Sequence, residues 1–423
     1  MQDETLFEKN TGAGAGLIAR IAKGLLVRQL KTLGAGQLRL IDADSALEFG
    51  AGSSRAITLR VHDERFYREV LLNGSLGAGE AYASGYWSCD DLVGLVRLMV
   101  ANRQLTEDLD TAWSRLAAPF ARLAQLFTRN TLKGSERNIA AHYDLGNEFF
   151  ALFLDDTLAY SCGIFPHQDS SLEEASRAKF DAALSKLRLQ ATDHLLEIGT
   201  GWGGLAIHAA RHYGARVTTT TISRRQFEFA TERVRREGLH DRVTVLLEDY
   251  RELTGRYDAL VSIEMVEAVG HQYVDGYFGR CSRLLKSHGA MLLQAITIRD
   301  QLYAKALGRV DFIQRHIFPG SFMPSVTVLL NAVARSGDMK VTHLEDIGPH
   351  YARTLKCWRQ RFLARREEAK RLGYSDSFLR LWEYYLCYCE GGFEERQLGD
   401  VQMLLTKPDS RRAAIATVHA PEA

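Results

Sequence analysis

The sequence predicts an α/β fold: a doubly wound sheet preceded by a smaller α+β domain. From about residue 190 the chain alternates β-branched, apolar runs with amphipathic stretches of helical spacing, beginning with "DHLLEIG" and "GGLAIHAARHYG". Such alternation is typical of parallel strands joined by helices. The region before it carries several strand-like runs close together and one long helix-like stretch, which indicates a separate domain.

Seven strands are predicted in the larger domain. Five of them alternate with helices: "DHLLEIG", "ARVTTTTIS", "RVTVLLEDY", "YDALVSIEMV" and "AMLLQAITI". Two late strands, "MKVTHLEDIG" and "LGDVQMLLTKP", flank long helices, and a helical insertion covers residues 300–338. Because ligands of doubly wound sheets bind outside the carboxyl ends of the strands, we expect the site there.

The first domain begins with a helix predicted over "GLIARIAKGLLVRQLKTLG". Its charged residues are all basic, which fits a helix lying on an anionic lipid surface or an ordinary packed helix with a solvated face. Strand-like runs follow at "GQLRLIDADS", "ITLRVHD" and "FYREVLLNG", and then a turn and a helix in "GAGEAYASGYWSCDDLVGLVRLMV". We therefore divide the chain into residues 1–130 with a linker, a catalytic domain over 131–408, and a flexible tail over 409–423.

Composition narrows the functional class. A net charge of +1 offers no bulk attraction to nucleic acid, and no apolar run is long enough for a membrane span. The six cysteines are scattered, which predicts reduced thiols in a cytoplasmic protein and no metal site. The acidic start "MQDETLFEKN" lacks the layout of a signal peptide.

The loop "GTGWGG" after the first strand satisfies G-x-G-x-x-G, a pattern of dinucleotide sites. A dinucleotide fold needs an acid about 20 residues further on to hold the ribose, yet "TTTTISRRQ" has no carboxylate before Glu228. Acids stand instead at Glu197 and Asp249. This distribution favours S-adenosylmethionine, because one carboxylate can face its ammonium and the other its adenine amine.

Further motifs resemble those of a known family. They are "NIAAHYDLGNEFFALFLDDTLAYSCGIF", "LLEIGTGWGG", "TISRRQ", "SIEMVEAVGHQY", "HYARTLKCW" and "CEGGFEERQLGDVQMLLTKP". Together they closely resemble the cyclopropane-fatty-acyl-phospholipid synthases and the related mycolic acid cyclopropane synthases. The resemblance implies a class I S-adenosylmethionine-dependent methyltransferase fold with seven strands, and covers about residues 130–408. A looser match at "GEAYASGYWSCDDL" favours the bacterial phospholipid enzymes, because the mycolic acid enzymes lack such a first domain.

The resemblance implies a set of cofactor-binding residues around the loop. The matching positions are Tyr160, Ser161, Glu197, Gly199, Gly201, Thr221, Gln226, Asp249 and Tyr250.

The resemblance also implies a bicarbonate ion that acts as the base. Its ligands would be the backbones of Cys162 and Ile296 together with the side chains of Glu267 and Tyr351. A histidine usually completes the set, but this sequence has Gln294 there, which donates hydrogen bonds and cannot become cationic.

Two further residues are interpreted from the same motifs. We favour Glu267 over Glu264 as the active carboxylate because it matches the family motif, and interpret Glu264 as a support near the sulfonium. Cys389 matches a position discussed as a reactive thiol; we expect packing there, because a thiolate does not attack an alkene.

The implied activity is transfer of the methyl group to the cis double bond of an acyl chain in membrane phospholipid, followed by cyclopropane closure. A carbocation must be shielded from water, and aromatic faces suit that task. The candidate rings are Tyr143, Phe149, Phe165, Tyr303 and Phe312. "GRVDFIQRHIFPGSFMP" is interpreted as a flap over the acyl channel.

Alternatives remain open. Gln294 favours a different ending that gives a methylene or methyl-branched chain. A lipid-binding protein with an inactive cofactor fold is a third hypothesis, against which the intact loop, Glu267 and Tyr351 argue. The resemblance further implies a homodimer attached peripherally to the inner face of the membrane, with residues 1–130 as a domain of the lipid-binding or dimerisation type and a linker.

Overall fold

A computed structural model describes residues 13–52, 55–103 and 145–412 of the chain. The helices and strands of these ranges are numbered here in chain order: α1 (Ala13–Leu30), β1 (Gly36–Ile41), β2 (Ala46–Ala51), β3 (Ile57–Val61), α2 (Arg65–Ala83), β4 (Trp87–Cys89), α3 (Leu92–Ala101), α4 (Asn147–Ala151), α5 (Leu172–Lys186), β5 (His194–Ile198), α6 (Gly204–His212), β6 (Arg216–Thr221), α7 (Arg224–Arg236), β7 (Val243–Leu247), β8 (Tyr257–Ile263), α8 (Val274–Leu284), β9 (Leu285–Ile298), α9 (Asp300–Leu307), α10 (Phe312–His316), α11 (Val326–Ser336), β10 (Lys340–Asp346), α12 (Gly348–Ala364), α13 (Arg366–Arg371), α14 (Asp376–Glu394) and β11 (Leu398–Thr406).

The described residues divide into two units. The first contains residues 13–52, 55–103 and 373–395, and the second contains residues 145–372 and 396–412. The sequence division placed 373–395 in the catalytic domain, whereas α14 packs against α2 and α3 in the first unit. The Arg380 guanidinium explains part of this attachment, because it donates to the carbonyls of Tyr82 (2.6 Å) and Trp87 (2.7 Å). The expected boundary at residue 130 lies outside the described residues.

The first unit has α+β structure, with a four-stranded sheet in the order β2-β1-β3-β4. The prediction of a strand over "FYREVLLNG" is wrong, because these residues lie in α2. The buried side chains Phe66, Tyr67 and Val70 have helical rather than alternating spacing. Gly74 then kinks the helix with φ 56° and ψ −132°.

The second unit carries the predicted seven-stranded sheet, in the order β10-β11-β9-β8-β5-β6-β7. The strands β5 to β9 pair in parallel, and β11 runs antiparallel to β9 and β10. Strand order reverses between β5 and β8. In sheets of this kind the crevice at that point, outside the carboxyl ends of the strands, is where ligands bind.

Apolar side chains cover both faces of this sheet, as a doubly wound fold requires. On one face, Leu196 and Leu260 belong to a buried cluster that includes residues of α8 and α11. On the other face, Leu195 and Val261 belong to a cluster that includes residues of α5, α6 and α7. Neighbours in sequence point to opposite faces because side chains alternate along a strand. The sheet is therefore a rigid support for residues at its edge.

The predicted insertion at 300–338 forms the three helices α9, α10 and α11. None of the helices in the described ranges has the length and apolar character needed to cross a bilayer. Of the expected tail, only residues 409–412 are described.

Candidate active site

The glycine-rich loop joins β5 to α6 at the carboxyl edge of the sheet. Gly199 has φ +104°, a backbone conformation that L side chains rarely adopt. A Cβ on Gly204 would lie 2.5 Å from the carbonyl oxygen of Thr157, so only glycine fits there. A Cβ on Gly201 would meet nothing within 4 Å. The loop therefore turns sharply and leaves open space above its second glycine, which fits a ligand that approaches the backbone closely.

Glu197, at the end of β5, is 3% exposed. Its carboxylate accepts a hydrogen bond of 2.6 Å from the Thr219 hydroxyl. Burial raises the pKa of Glu197 to about 8. A cation beside the carboxylate favours its charged form, so this position suits the ammonium of S-adenosylmethionine.

The other expected cofactor residues follow β6 and β7. The Thr221 hydroxyl donates to the Gln226 side-chain oxygen at 2.9 Å, and both residues are buried. The Asp249 carboxylate accepts from the Arg251 guanidinium at 2.6 Å. The ring of Tyr250 follows immediately in the chain. Since β5, β6 and β7 are parallel neighbours, their carboxyl ends bring these groups to the edge that carries the glycine loop.

An aromatic wall includes Tyr160 and the neighbouring rings. The ring centroid of Tyr160 lies 5.3 Å from that of Phe150 and 5.2 Å from that of Trp358. Trp358 in turn lies 6.1 Å from the ring of Tyr351, and Phe318 lies 6.3 Å from Tyr160. Sequence reasoning missed Phe150, Trp358 and Phe318. Helical spacing gave a usable signal for Trp358, which is seven residues after Tyr351 on α12 and hence on the same face.

Ser161, next to Tyr160, contacts a buried lysine. The ammonium of Lys179, which is 1% exposed, donates to the Ser161 hydroxyl at 2.8 Å. Burial lowers the pKa of Lys179, and the nearby Glu264 charge opposes that shift. The amphipathic pattern of α5 gave no sign of this lysine, because a lysine on a helix is usually exposed.

Glu264 lies at the centre of a pocket at the end of β8. Its Oε1 accepts from the backbone N–H of Cys162 and from Nε2 of Gln294, each at 2.8 Å. Its Oε2 accepts from the Tyr351 hydroxyl at 2.6 Å. These three donors are the ones expected to bind bicarbonate. Three hydrogen bonds to one carboxylate are a strong anion site, and here the anion is the protein's own side chain.

The backbone of Glu264 is strained. Its φ is +47°, in the left-handed region that non-glycine residues seldom adopt. Such a conformation costs about 1–3 kcal/mol and persists only where the surroundings enforce it. The hydrogen bond from its N–H to the Gln294 carbonyl, 2.8 Å, and the three bonds to its carboxylate supply that restraint.

The carboxylate of Glu267 accepts from only one of the donors expected to bind bicarbonate. Its Oε1 accepts from the Ile296 N–H at 2.5 Å, and its buried Oε2 has no hydrogen-bond partner within the described ranges. Burial and the negative charge of Glu264 raise the pKa of Glu267 to about 8. At pH 7 it therefore mostly holds its proton. Of the two carboxylates, Glu264 and not Glu267 accepts from the Cys162, Gln294 and Tyr351 donors.

Gln294 links Glu264 to a third acid, Asp400 of β11. Besides Glu264, Nε2 of Gln294 donates to Asp400 Oδ2 at 3.1 Å, while its Oε1 accepts from Gln402 at 3.0 Å. Asp400 is fully buried, and desolvation together with the Glu264 charge raises its pKa far above the usual range. Sequence reasoning missed Asp400 and Gln402, although two polar residues at i and i+2 in an apolar strand gave a signal.

The remaining expected residues have other surroundings. The buried thiol of Cys162 donates to the Gly163 carbonyl at 3.2 Å, and burial raises its pKa, so its backbone rather than its sulfur serves the pocket. Cys389 lies on α14 of the first unit and is half-buried. Among the proposed cation-stabilising rings, Phe149 is fully buried among other aromatic rings, and Phe165 lies under the Arg353 guanidinium at 4.0 Å.

Of the last three candidate rings, Phe312 and Tyr303 lie within the described residues. The Phe312 ring lies 5.2 Å from that of His316, and Tyr303 packs against the apolar cluster on the α8 side of the sheet. Tyr143 lies outside the described residues.

Known proteins resemble this chain over most of its length. Residues 130–403 match the family described as mycolic acid cyclopropane synthetase. A tuberculostearic acid methyltransferase, UfaA1 of Mycobacterium tuberculosis, is 35% identical over 404 residues, which is 94% of this chain and 93% of the relative. The cyclopropane-fatty-acyl-phospholipid synthase of Escherichia coli is 36% identical over 354 residues, 82% of this chain and 87% of the relative.

Two solved structures also resemble this chain. The cyclopropane synthase MmaA2 of Mycobacterium tuberculosis has a TM-score of 0.61 at 32% identity, and the match covers 64% of this chain and 98% of that protein. The mycolic acid cyclopropane synthase CmaA1, solved with S-adenosylhomocysteine and a detergent-like ligand (CTAB), has a TM-score of 0.61 at 33% identity over the same fractions.

Proposed function

The chain belongs to the mycolic acid cyclopropane synthetase family of S-adenosylmethionine-dependent methyltransferases, and from this premise we propose that it methylates the cis double bond of an unsaturated acyl chain in membrane phospholipid. The names of its relatives support this activity. The product proposed first is a cyclopropane, as in the Escherichia coli relative.

One contact carries the proposal: the cofactor loop touches the carboxylate pocket. Met265, directly after Glu264, has its Cγ 3.4 Å from the position of a Cβ on Gly199. A methyl donor held by the loop is therefore next to the segment that carries the pocket's central carboxylate. Methyl delivery and the handling of charge on the acyl chain belong to the same site.

The chemistry needs what these residues offer. An unactivated alkene is a weak nucleophile with no proton to remove first, so its attack on the methyl group depends on positioning. The product of that attack is a carbocation, which the face of the half-buried Tyr160 stabilises without reacting. Because Tyr160 packs against both Phe150 and Trp358, these rings also keep water, which would trap the cation, away from the acyl chain.

A base must then remove a proton from the delivered methyl group. The resemblance implied bicarbonate for this task, bound by Cys162, Ile296, Glu267, Tyr351 and Gln294. These residues do not fit that ion as they are arranged, because three of them already donate to Glu264 and the fourth donor, the Ile296 N–H, is bound to Glu267. No step of the proposed reaction therefore uses bicarbonate.

A second product remains a candidate, since two observations favour it. Position 294 is a neutral glutamine that donates to two carboxylates. The relative matched over 404 residues is named a methyltransferase rather than a cyclopropane synthase. In this version the same methyl transfer ends with a methylene or, after later reduction, a methyl-branched chain.

We further propose peripheral attachment to the cytoplasmic face of the membrane as a homodimer. Helix α1 supports the membrane part, because Ile21 (54% exposed) and Leu25 (47% exposed) stand beside the exposed Arg28. Apolar and basic groups together suit an anionic bilayer surface. The homodimer rests on the family resemblance alone.

The test uses the purified full chain with S-adenosylmethionine and vesicles of cis-unsaturated phospholipid. Acyl chains are released and analysed by mass spectrometry and NMR. A cyclopropane ring supports the first product, and a methylene supports the second. If the chain binds the cofactor but the acyl chains gain no mass, the proposed function is wrong.

A further inference from the structure

We infer that the carboxylate of Glu264 takes the place of a bound bicarbonate and removes the proton from the delivered methyl group. The inference rests on the proposed function, because it assigns a residue to the last step of that reaction. It makes this chain independent of bicarbonate.

Three of the donors expected to bind bicarbonate already donate to Glu264. The Cys162 N–H, Gln294 Nε2 and Tyr351 hydroxyl approach Glu264 at 2.6–2.8 Å from three different parts of the chain. For an external anion to bind these groups, the Glu264 side chain would have to leave and carry its charge elsewhere in a buried pocket. Replacing a covalently attached anion by a dissolved one also loses the advantage of preorganisation.

The strained backbone at Glu264 is the second observation. A glycine adopts φ +47° without strain, yet this chain places a glutamate there. Residues held in such conformations concentrate at active sites, where the strained geometry is used. The strain aims the carboxylate of Glu264 into the cluster of donors.

The hydrogen bonds favour Glu264 over the two neighbouring acids as the base. Asp400 is fully buried and Glu267 is half-buried, and the Glu264 charge raises the pKa of each. Several carboxyl groups in one buried pocket do not all ionise together. Of the three acids, Glu264 is the one whose carboxylate accepts three hydrogen bonds, so it is the one placed to take the proton.

The step balances as follows. A C–H bond of the delivered methyl group breaks, and the proton moves to Oε of Glu264. The electron pair of that bond forms the closing C–C bond of a cyclopropane. If a hydride has first shifted the cation onto the methylated carbon, the same pair forms the second bond of a methylene. In either case the cation is discharged and Glu264 becomes a neutral acid, which returns its proton to water after the product leaves.

The experiment measures turnover with and without bicarbonate in degassed, carbon-dioxide-free buffer. It compares the wild type with Glu264→Gln, Glu264→Gly and the surface control Glu228→Gln. We expect the wild type and Glu228→Gln to turn over equally in both buffers. Glu264→Gln should lose about 10²–10⁴-fold in turnover, the usual worth of a general base.

Glu264→Gly tests the same inference in the opposite direction, through recovery of turnover. Glycine relieves the backbone strain and frees the three donors, so added bicarbonate or formate should restore a large part of the lost turnover. The same salts should leave Glu264→Gln unchanged, because its amide still fills the pocket. Binding of S-adenosylmethionine by calorimetry checks that both variants are folded.

Two results would overturn the inference: a wild type whose turnover falls when bicarbonate is removed, or a Glu264→Gln variant with turnover like the wild type. Both differ from failure of the proposed function, in which the wild type itself produces no modified acyl chain under any condition; the inference would then fall with it.

Discussion

The cofactor side and the carboxylate side of the catalytic unit are built in different ways. Apart from Tyr160 and Ser161, the cofactor side consists of the loop after β5 and the ends of β6 and β7, and these residues lie close together in sequence, from Glu197 to Tyr250. The carboxylate side joins Cys162, Glu264, Gln294, Tyr351 and Asp400, which come from distant parts of the chain. A local motif fixes the first, whereas long-range packing fixes the second.

The two sides should therefore fail in different ways. A change on the carboxylate side should lower turnover and leave cofactor affinity intact, because its groups act on the acyl chain. A change in the loop should lower cofactor affinity and leave turnover at saturating cofactor nearly intact.

Among the variants that compare the two sides, the largest effect is expected for Gln294→Leu. Leucine removes the amide that donates to Glu264 and Asp400, which leaves two buried oxygens without that partner. The penalty for such groups is about 1–3 kcal/mol, so turnover should fall roughly 10–100-fold. Steady-state kinetics measure turnover, and calorimetry should show unchanged cofactor affinity. Gln190→Leu, at an exposed position, is the control. Turnover equal to the wild type would show that the amide does not hold the pocket.

The next effect is expected for Gly199→Ala. Alanine resists φ +104°, so the loop must shift to accept it, although its Cβ would lie at an ordinary contact distance, 3.4 Å, from Met265 Cγ. With a cost of about 1–2 kcal/mol, the dissociation constant for the cofactor should rise roughly tenfold.

Gly238→Ala is the matched control for this loop variant. Gly238 also has positive φ, +68°, but it lies at the end of α7 with nothing within 4 Å of its Cβ position. It should lose stability without losing cofactor affinity. Equal affinities for both variants would contradict a role of the loop in binding.

The smallest effect concerns the pH dependence of stability. The pKa of Glu267 is raised to about 8 in the folded chain from an ordinary 4.5. Between these values the folded chain holds a proton that the unfolded chain releases. The contribution of Glu267 to the free energy of unfolding is thus present at low pH and is lost as pH rises towards 8, by about 1.4 kcal/mol per pH unit at most.

Glu267→Gln removes this titration. The melting temperature of the variant minus that of the wild type should therefore be larger at pH 8 than at pH 5.5. Thermal unfolding of both proteins at the two pH values gives the comparison. A stability difference that does not change with pH would show that Glu267 is ionised throughout.

The same contrast explains what the sequence could predict. Strand and helix periods predicted the seven strands, and the absence of an acid in "TTTTISRRQ" pointed to the right cofactor class. The motif resemblance selected residues that the structure does bring into one pocket, among them Cys162, Gln294 and Tyr351.

The hydrogen-bond partners within that pocket could not be predicted from the sequence. Glu264 and Glu267 are three residues apart at a strand end, and their spacing alone does not tell which one meets the donors. The answer depends on the left-handed backbone of Glu264 and on α12, more than 80 residues later in the chain. Likewise, α14 lies in the sequence region assigned to the catalytic domain but packs against α2 and α3. No local sequence pattern reveals this contact.

The most direct test of the account follows the delivered methyl group itself. The wild type is given S-adenosylmethionine with a trideuterated methyl group and a cis-unsaturated phospholipid, and the released acyl chains are weighed by mass spectrometry. The account predicts that each modified chain keeps two of the three deuterium atoms, because the pocket centred on Glu264 removes the third. A product that retains all three would show that no proton leaves the methyl group and would contradict the assignment of the pocket.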